Sequence, residues 1–156
     1  MALQLDIVGM THKYSRTYVV GREKIREFAQ SVKAVDPASL DPSAAAELGH
    51  DGLIAPLAFP AVMALLVQKE FFRTYDVGMD TMQIVHSEQK FVYHKPITEG
   101  DELSCDFQVD SHKEAFGVDI VTTRNIVRDQ NGELVMEAFT TLMGRDSDRM
   151  ADIKLL

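Results

Sequence analysis

The pattern of apolar and polar residues changes character about halfway along the chain. In the first half, apolar positions recur at helical spacing. "REKIREFAQSVK" places Ile25, Phe28, Ala29 and Val32 at i, i+3, i+4 and i+7, the stripe of a helix lying on a core. Ahead of it, "SRTYVVG" alternates and is β-rich, which predicts a first strand ending at Gly21. The stretch 34–41 breaks the helical pattern at Pro37. "DPSAAAELG" then predicts a complete short helix, with Asp41 as N-cap, Pro42 at the first position and Gly49 as the stop. Residues 55–72, "APLAFPAVMALLVQKEFF", are apolar on every side in their first half, which predicts a buried helix and not an amphipathic one. Pro56 and Pro60 fall within its first turn or so, where a missing N–H costs little.

Beyond "DVGMDTM", read as a loop, the period becomes two. "QIVHSEQKFVYHKPI" predicts one long strand or two bent pieces, with "TEGDE" as a turn. "LSCDFQV" puts Leu103, Cys105, Phe107 and Val109 on one face and Ser104, Asp106 and Gln108 on the other. "HKEAFG" is expected to link to the strand "VDIVTTRNIV", and Asn131-Gly132 to make a tight hairpin turn. "LVMEAFTTLMG" is the last expected strand, followed by a polar tail from about residue 145. A helix that is apolar all round has to be enclosed, and the simplest enclosure is an antiparallel sheet curled around it. The expected class is therefore α+β, with residues 1–156 as a single hotdog domain whose antiparallel sheet wraps a long buried central helix.

Length and composition leave that picture intact: 156 residues suffice for one core, and 46% hydrophobic with 26% charged residues excludes global disorder. Charge adds more. Residues 1–33 carry six Lys/Arg against three Asp/Glu, whereas 34–156 carry ten against twenty-one, for a net charge of −8. So acidic a body lacks the broad basic face that nucleic acid requires. The basic N-terminal segment reads first as a solvated face and second as a docking patch. The single Cys105 makes no intrachain disulfide, no apolar run reaches the roughly 18 residues of a membrane span, and no secretion-signal pattern opens the chain. A cytoplasmic location is expected. No Cys/His group has metal-ligand spacing. His86 and His94, expected on one strand face, lie ~26 Å apart along an extended chain, while His12 and His112 fall in an expected loop and turn.

The stretches "VGREKIREFAQSV", "AAAELGHDGLIAP", "DVGMDTMQIVHSEQKFVYHKPITEGDEL" and "NGELVMEAFTTLMG" resemble the MaoC-type hotdog dehydratases. Within that family they are similar to the A- and C-type subunits of the mycobacterial (3R)-hydroxyacyl-ACP dehydratase, the Had complex, and most of all to the C type. Catalytic members carry D-x-N-P-(L/I/V)-H ahead of the central helix. Loss of water from a 3-hydroxyacyl thioester needs a base for the α-proton and an acid for the departing hydroxyl, which the Asp and His supply. A backbone N–H at the start of the helix polarises the thioester carbonyl. Anchored on Pro37, the motif falls on residues 34–39, so Ala34 stands at the acid position and Ser39 at the histidine position. Sliding the register by two residues puts Asp41 at the histidine position instead. The family's "AHGM" helix opening appears here as "APLAF", without its glycine.

The resemblance therefore implies a chain without catalytic residues of its own. Asp36, before a proline, reads as a turn former and Asp41 as a helix cap; as acid–base groups they are the weaker reading, as is His50. The catalytically incomplete subunit of this family houses the acyl chain, which makes Leu57, Phe59, Met63, Phe71, Met79 and Met82 the candidate channel residues. The competing reading is that most of them are core. The implied function is a non-catalytic subunit of a heterodimeric (3R)-3-hydroxyacyl thioester dehydratase in fatty-acid or mycolic-acid elongation, inactive alone. Its implied partners are a hotdog subunit with the Asp/His motif and an acyl thioester on acyl carrier protein or coenzyme A; no cofactor and no metal is implied. The net charge of −8 places the carrier dock on the partner, with Lys13 to Arg26 as a local exception. One alternative is a self-sufficient homodimeric hydratase or thioesterase using Asp36, Asp41 or His50. Against the thioesterase, the central helix has only Glu70, near its far end. Another is an acyl-thioester-binding protein without catalysis.

Overall fold

The computed structural model describes residues 6–77 and 82–146. Its elements in chain order are β1 (Thr11–Lys13), β2 (Tyr18–Val19), α1 (Arg22–Ser31), a 3-10 turn (Pro37–Ser39), α2 (Pro42–Glu47), α3 (Pro60–Thr74), β3 (Met82–Tyr93), β4 (Glu102–Ala115), β5 (Val118–Arg128) and β6 (Leu134–Asp146). All strand pairs are antiparallel, in the order β1-β4-β5-β6-β3, with β2 also pairing on β4. One face of this sheet packs on α3, and the arrangement is the hotdog fold. Leu103, Cys105, Phe107 and Val109 are buried as their alternation predicts, and the Phe107 ring lies 4.5 Å from that of Phe71 on α3.

Several boundaries differ from expectation for identifiable reasons. The central helix starts at Pro60, not at residue 55. Ile54 bridges Thr98, and Ala55 N donates to Ile97 O at 2.8 Å, so the chain is still held extended there. Pro56 instead opens a turn that Phe59 N closes onto Pro56 O at 2.8 Å. The first strand shrinks to Tyr18–Val19, while the segment around His12, expected as loop, forms β1 by pairing Thr11–Lys13 with Gln108–Asp106. β4 continues through a register shift after Val109 to Ala115, so the expected link is the end of a strand. Its turn is Phe116-Gly117, both with positive φ (56° and 71°), the mirror-image turn that suits strand twist. The Asn131-Gly132 connection is wider than a tight turn: Asp129 Oδ1 accepts from both Asn131 N and Glu133 N at 2.9 Å. β6 runs on to Asp146, past the expected start of the tail.

The helix is not enclosed all round by its own sheet. Met63, Val67 and Phe71 face the core, but Leu65 and Leu66 are 56% and 39% exposed. The neighbouring edge strand β3 pairs on one side only, with β6, among the described residues. Among those residues no helix is long and apolar enough to cross a membrane.

Candidate functional site

The segment at the family's catalytic position is closed by its own hydrogen bonds. Asp36 Oδ1 accepts from Ala38 N at 3.0 Å, capping the 3-10 turn. Ser39 is 2% exposed, and its hydroxyl donates to Ile54 O at 2.7 Å. Ile54 N in turn donates to Ala38 O at 3.0 Å, so this pair of bonds staples the segment to the approach to α3. Asp41 Oδ1 accepts from Ser43 N at 2.9 Å as the N-cap of α2. Gly49 stops that helix at φ +83°, where only glycine is unstrained, and His50 follows half-buried with its backbone N on Ala45 O. Asp36, Asp41 and His50 thus hold three separate local positions, and Ala34 offers no proton-transfer group.

Among the described residues three imidazole–carboxylate pairs occur, and none was evident in the sequence. His12 Nε2 lies 2.8 Å from Glu70 Oε1, while Ser15 donates to Glu70 through its N (2.9 Å) and its hydroxyl (2.8 Å). The Ser15 hydroxyl, and after it His12, hold the Glu70 carboxyl below its usual range. The His12 ring stands edge-on to Phe71 and Tyr75. This pair therefore fastens the N-terminal segment to the end of α3. His112 bonds Asp119 at 2.8 Å across the β4–β5 hairpin. His94 approaches Glu137 at 3.3 Å, where Arg124 is the main group lowering the Glu137 carboxyl. His94 lies just past β3, and the register shift between His86 and Glu88 separates its face from that of His86, contrary to expectation.

The open space lies along the outer flank of α3. A groove of about 510 Å³ has Leu65, Phe72 and Ile84 as apolar lining and Gln68, Lys69 and Arg73 as polar lining. It adjoins a notch of about 210 Å³ where Ala61 and Ala64 leave room beside Gln68, His86, Gln89 and Thr140. Thr140 and Gln89 satisfy each other, with Thr140 Oγ1 donating to Gln89 Oε1 at 2.9 Å. Gln68 is 7% exposed, lines both cavities and makes no side-chain hydrogen bond to a described residue. A third cavity, about 350 Å³, lies at the entrance to α3, where Leu57 is 75% exposed beside Tyr93. Tyr93 Oη donates to Leu57 O at 2.7 Å, and burial pushes this phenol well above its ordinary value.

Of the candidate channel residues, Leu57 lines that third cavity. Phe59, Met63 and Phe71 sit in the packed core at 1%, 3% and 0% exposure, with Phe59 edge-on to Phe28 and Tyr18. Met82 opens β3, and Met79 lies outside the described residues. The lining residues Leu65, Phe72 and Ile84 were not anticipated. Leu65, Lys69, Phe72 and Arg73 do fall at i, i+4, i+7 and i+8, a helical flank that could have been read from spacing.

Residues 6–138 match the family described as FAS1-like, dehydratase domain region. A UPF0336 protein of Mycobacterium tuberculosis (strain H37Rv) is 52% identical over 154 residues, covering 99% of this chain and 93% of the relative. A second UPF0336 protein of that strain is 46% identical over 145 residues, 93% of this chain and 92% of the relative. The fold matches a chain in the crystal structure of the C-terminally truncated HadBC (3R-hydroxyacyl-ACP dehydratase) complex from M. tuberculosis with a TM-score of 0.85 and 50% identity, over 91% of this chain and 100% of that one. A MaoC-like dehydratase matches with a TM-score of 0.85 and 36% identity, over 92% of this chain and 43% of that one. The chain belongs to the FAS1-like dehydratase family, on the hotdog fold it shares with the MaoC-like enzymes.

Proposed function

We propose that this chain is the non-catalytic, acyl-chain-accommodating subunit of a heterodimeric (3R)-3-hydroxyacyl thioester dehydratase. The observation that carries the reading is Ser39. The residue at the histidine position is buried, with its hydroxyl committed to Ile54 O. Ala34, at the acid position, has nothing to exchange a proton with. Removing the α-proton and protonating the departing hydroxyl need a base and an acid, so both groups come from a second hotdog chain. That chain would cover the edge of β3 and the side of α3 that faces it, where Leu65, Ile84 and Val85 are exposed, and would leave free the side around Leu66 that borders the N-terminal segment. An unpaired strand edge beside an apolar patch is a template for association. The similarity to a chain of the HadBC complex supports a two-subunit arrangement.

Within such a pair the groove beside α3 becomes a covered channel. Leu65, Phe72 and Ile84 line it, Phe59, Met63 and Phe71 form the packed wall behind it, and Leu57 flanks the entrance to the helix. The substrate in this reading is an acyl thioester in fatty-acid elongation, with mycolic-acid synthesis as the setting. The test is hydration of an enoyl thioester by the purified chain, alone and assembled with a hotdog subunit that carries the intact Asp/His motif. No turnover alone and full turnover in the assembly are expected. Robust turnover by the lone chain would return the reaction to Asp36, Asp41 or His50. A stable homodimer that binds acyl ligand and recruits no second subunit would make the chain a binding module instead.

A further inference from the structure

The fold brings a cation of the N-terminal segment against two cations of α3. Arg16, Lys69 and Arg73 line one cavity of about 290 Å³, together with Tyr14, Leu66 and Glu70. Lys69 and Arg73 stand one turn apart on α3, between its Leu65 groove and its Leu66 side. Arg16 is brought to them by its neighbour, because both the N–H and the hydroxyl of Ser15 bond Glu70 on that helix. All three cations are exposed, and none makes an ion pair with a described residue. The carboxylate within the cavity, Glu70, already accepts from His12 and twice from Ser15. Asp76 is the acidic residue lining the adjoining groove. On a chain of net charge −8, three cations against the two carboxylates Glu70 and Asp76 make a local excess of positive charge.

Its position matters as much as its sign. Lys69 and Arg73 also line the apolar groove with Leu65 and Phe72, so the charged surface borders the open side of the channel. A site for one small anion is built from buried donors converging on a point. Here the donors are long, exposed side chains spread over a helix turn and a loop, the arrangement that steers and orients an extended acidic surface. We propose that Arg16, Lys69 and Arg73 form the docking surface for an acidic carrier protein, which delivers its acyl chain into the adjoining groove. This rests on the subunit reading above and changes it in one respect: net charge assigned the dock to the partner with Lys13 to Arg26 as a local exception, whereas the patch joins Arg16 of that segment to α3 and takes the dock to this chain.

The experiment uses the complex with the catalytic hotdog partner and one enoyl group presented on acyl carrier protein, coenzyme A or N-acetylcysteamine. Charge reversal of all three cations (Arg16→Glu, Lys69→Glu, Arg73→Glu) is expected to lower kcat/KM on the carrier-bound substrate by at least about tenfold, mainly through KM. In Arg16→Glu alone, whose side chain lines the cation cavity and not the acyl groove, carrier-bound turnover should still fall while turnover of the two carrier-free thioesters is unchanged. In the wild-type complex, raising salt from about 50 to 300 mM should depress only the carrier-bound reaction, a measurement that needs no variant. Unchanged kcat/KM on the carrier substrate, together with salt insensitivity, overturns the docking surface. An equal loss on the coenzyme A thioester also overturns it, and assigns the cations to the phosphate of the arm. Absence of turnover of all three thioesters by the wild-type complex would instead sink the subunit reading itself.

Discussion

The segment before α3 and the outer flank of α3 lie close in sequence and are opposite in physical state. Before the helix, Asp36, Ser39 and Asp41 each bond a backbone group of their own chain, and the segment is stapled to Ile54. Along the flank, the Gln68 amide, Lys69 and Arg73 have no bonded partner among the described residues, and Leu65 is exposed beside them. Buried polar groups are ordinarily satisfied, and large apolar surface is ordinarily covered. A fold that meets the first condition at the family's reaction position and leaves the second unmet beside it has invested its order in itself at one place and in another molecule at the next.

The sharpest way to break this contrast is to charge the open flank. Leu65→Glu with Ile84→Glu should weaken assembly with a hotdog partner by roughly 100-fold, about 3 kcal/mol, because unpaired carboxylates would be buried in the contact. The thermal midpoint of the isolated chain should hardly move, since both positions are exposed in it. Isothermal titration against the partner reads the first quantity and a melting curve the second. Undiminished affinity would remove this flank from the interface.

Next in size is an attempt to restore the catalytic segment. Ala34→Asp combined with Ser39→His should destabilise the chain by about 2 kcal/mol, through overpacking at a 2%-exposed site and loss of the bond to Ile54 O. The lone variant should stay inactive, because the segment is fixed where Ser39 fits. Urea unfolding and an enoyl hydration assay together decide it; a stable variant that turns over would show the segment still open to chemistry.

These two regions were unequally legible in the sequence. The caps at Asp36 and Asp41, the stop at Gly49 and the alternation of Leu103 to Val109 are local signals, and local physics was enough for them. β1 was missed because three residues carry no period; it exists through its pairing with β4. The start of α3 was misplaced because the β-bridge at Ile54 is a long-range constraint that Pro56 does not announce. The flank was hidden for a subtler reason. An apolar helix looks the same whether its own sheet or a second chain covers it, so residues 55–72 predicted enclosure without saying by what. The cation cluster joins Arg16 to residues more than 50 positions away and has no local signature at all.

A smaller effect checks that the sealed segment is structural. Asp41→Ala should cost about 1 kcal/mol by removing the N-cap of α2, and Asp41→Asn should restore most of it. Partner-supported turnover should be unchanged in both. A loss of turnover in the alanine variant that asparagine did not rescue would reinstate Asp41 as an acid–base group.

The smallest effect concerns the Glu70 tether, which joins the N-terminal segment to the open flank. Its carboxyl is held below the ordinary value of 4.5, chiefly by the Ser15 hydroxyl and then by His12. A depressed carboxylate contributes stability that is fully present above its unfolded value and is lost as pH falls through its folded one. Glu99, Asp129 and Glu137 are depressed in the same direction, so the wild-type chain should weaken progressively below about pH 4.5. Glu70→Gln removes one contributor, and its stability should fall less steeply over that window while starting lower at pH 7. Urea midpoints from pH 3 to 7, taken for both proteins, give the two slopes. Parallel curves would mean that the bonds from Ser15 and His12 do not discriminate the ionised carboxylate.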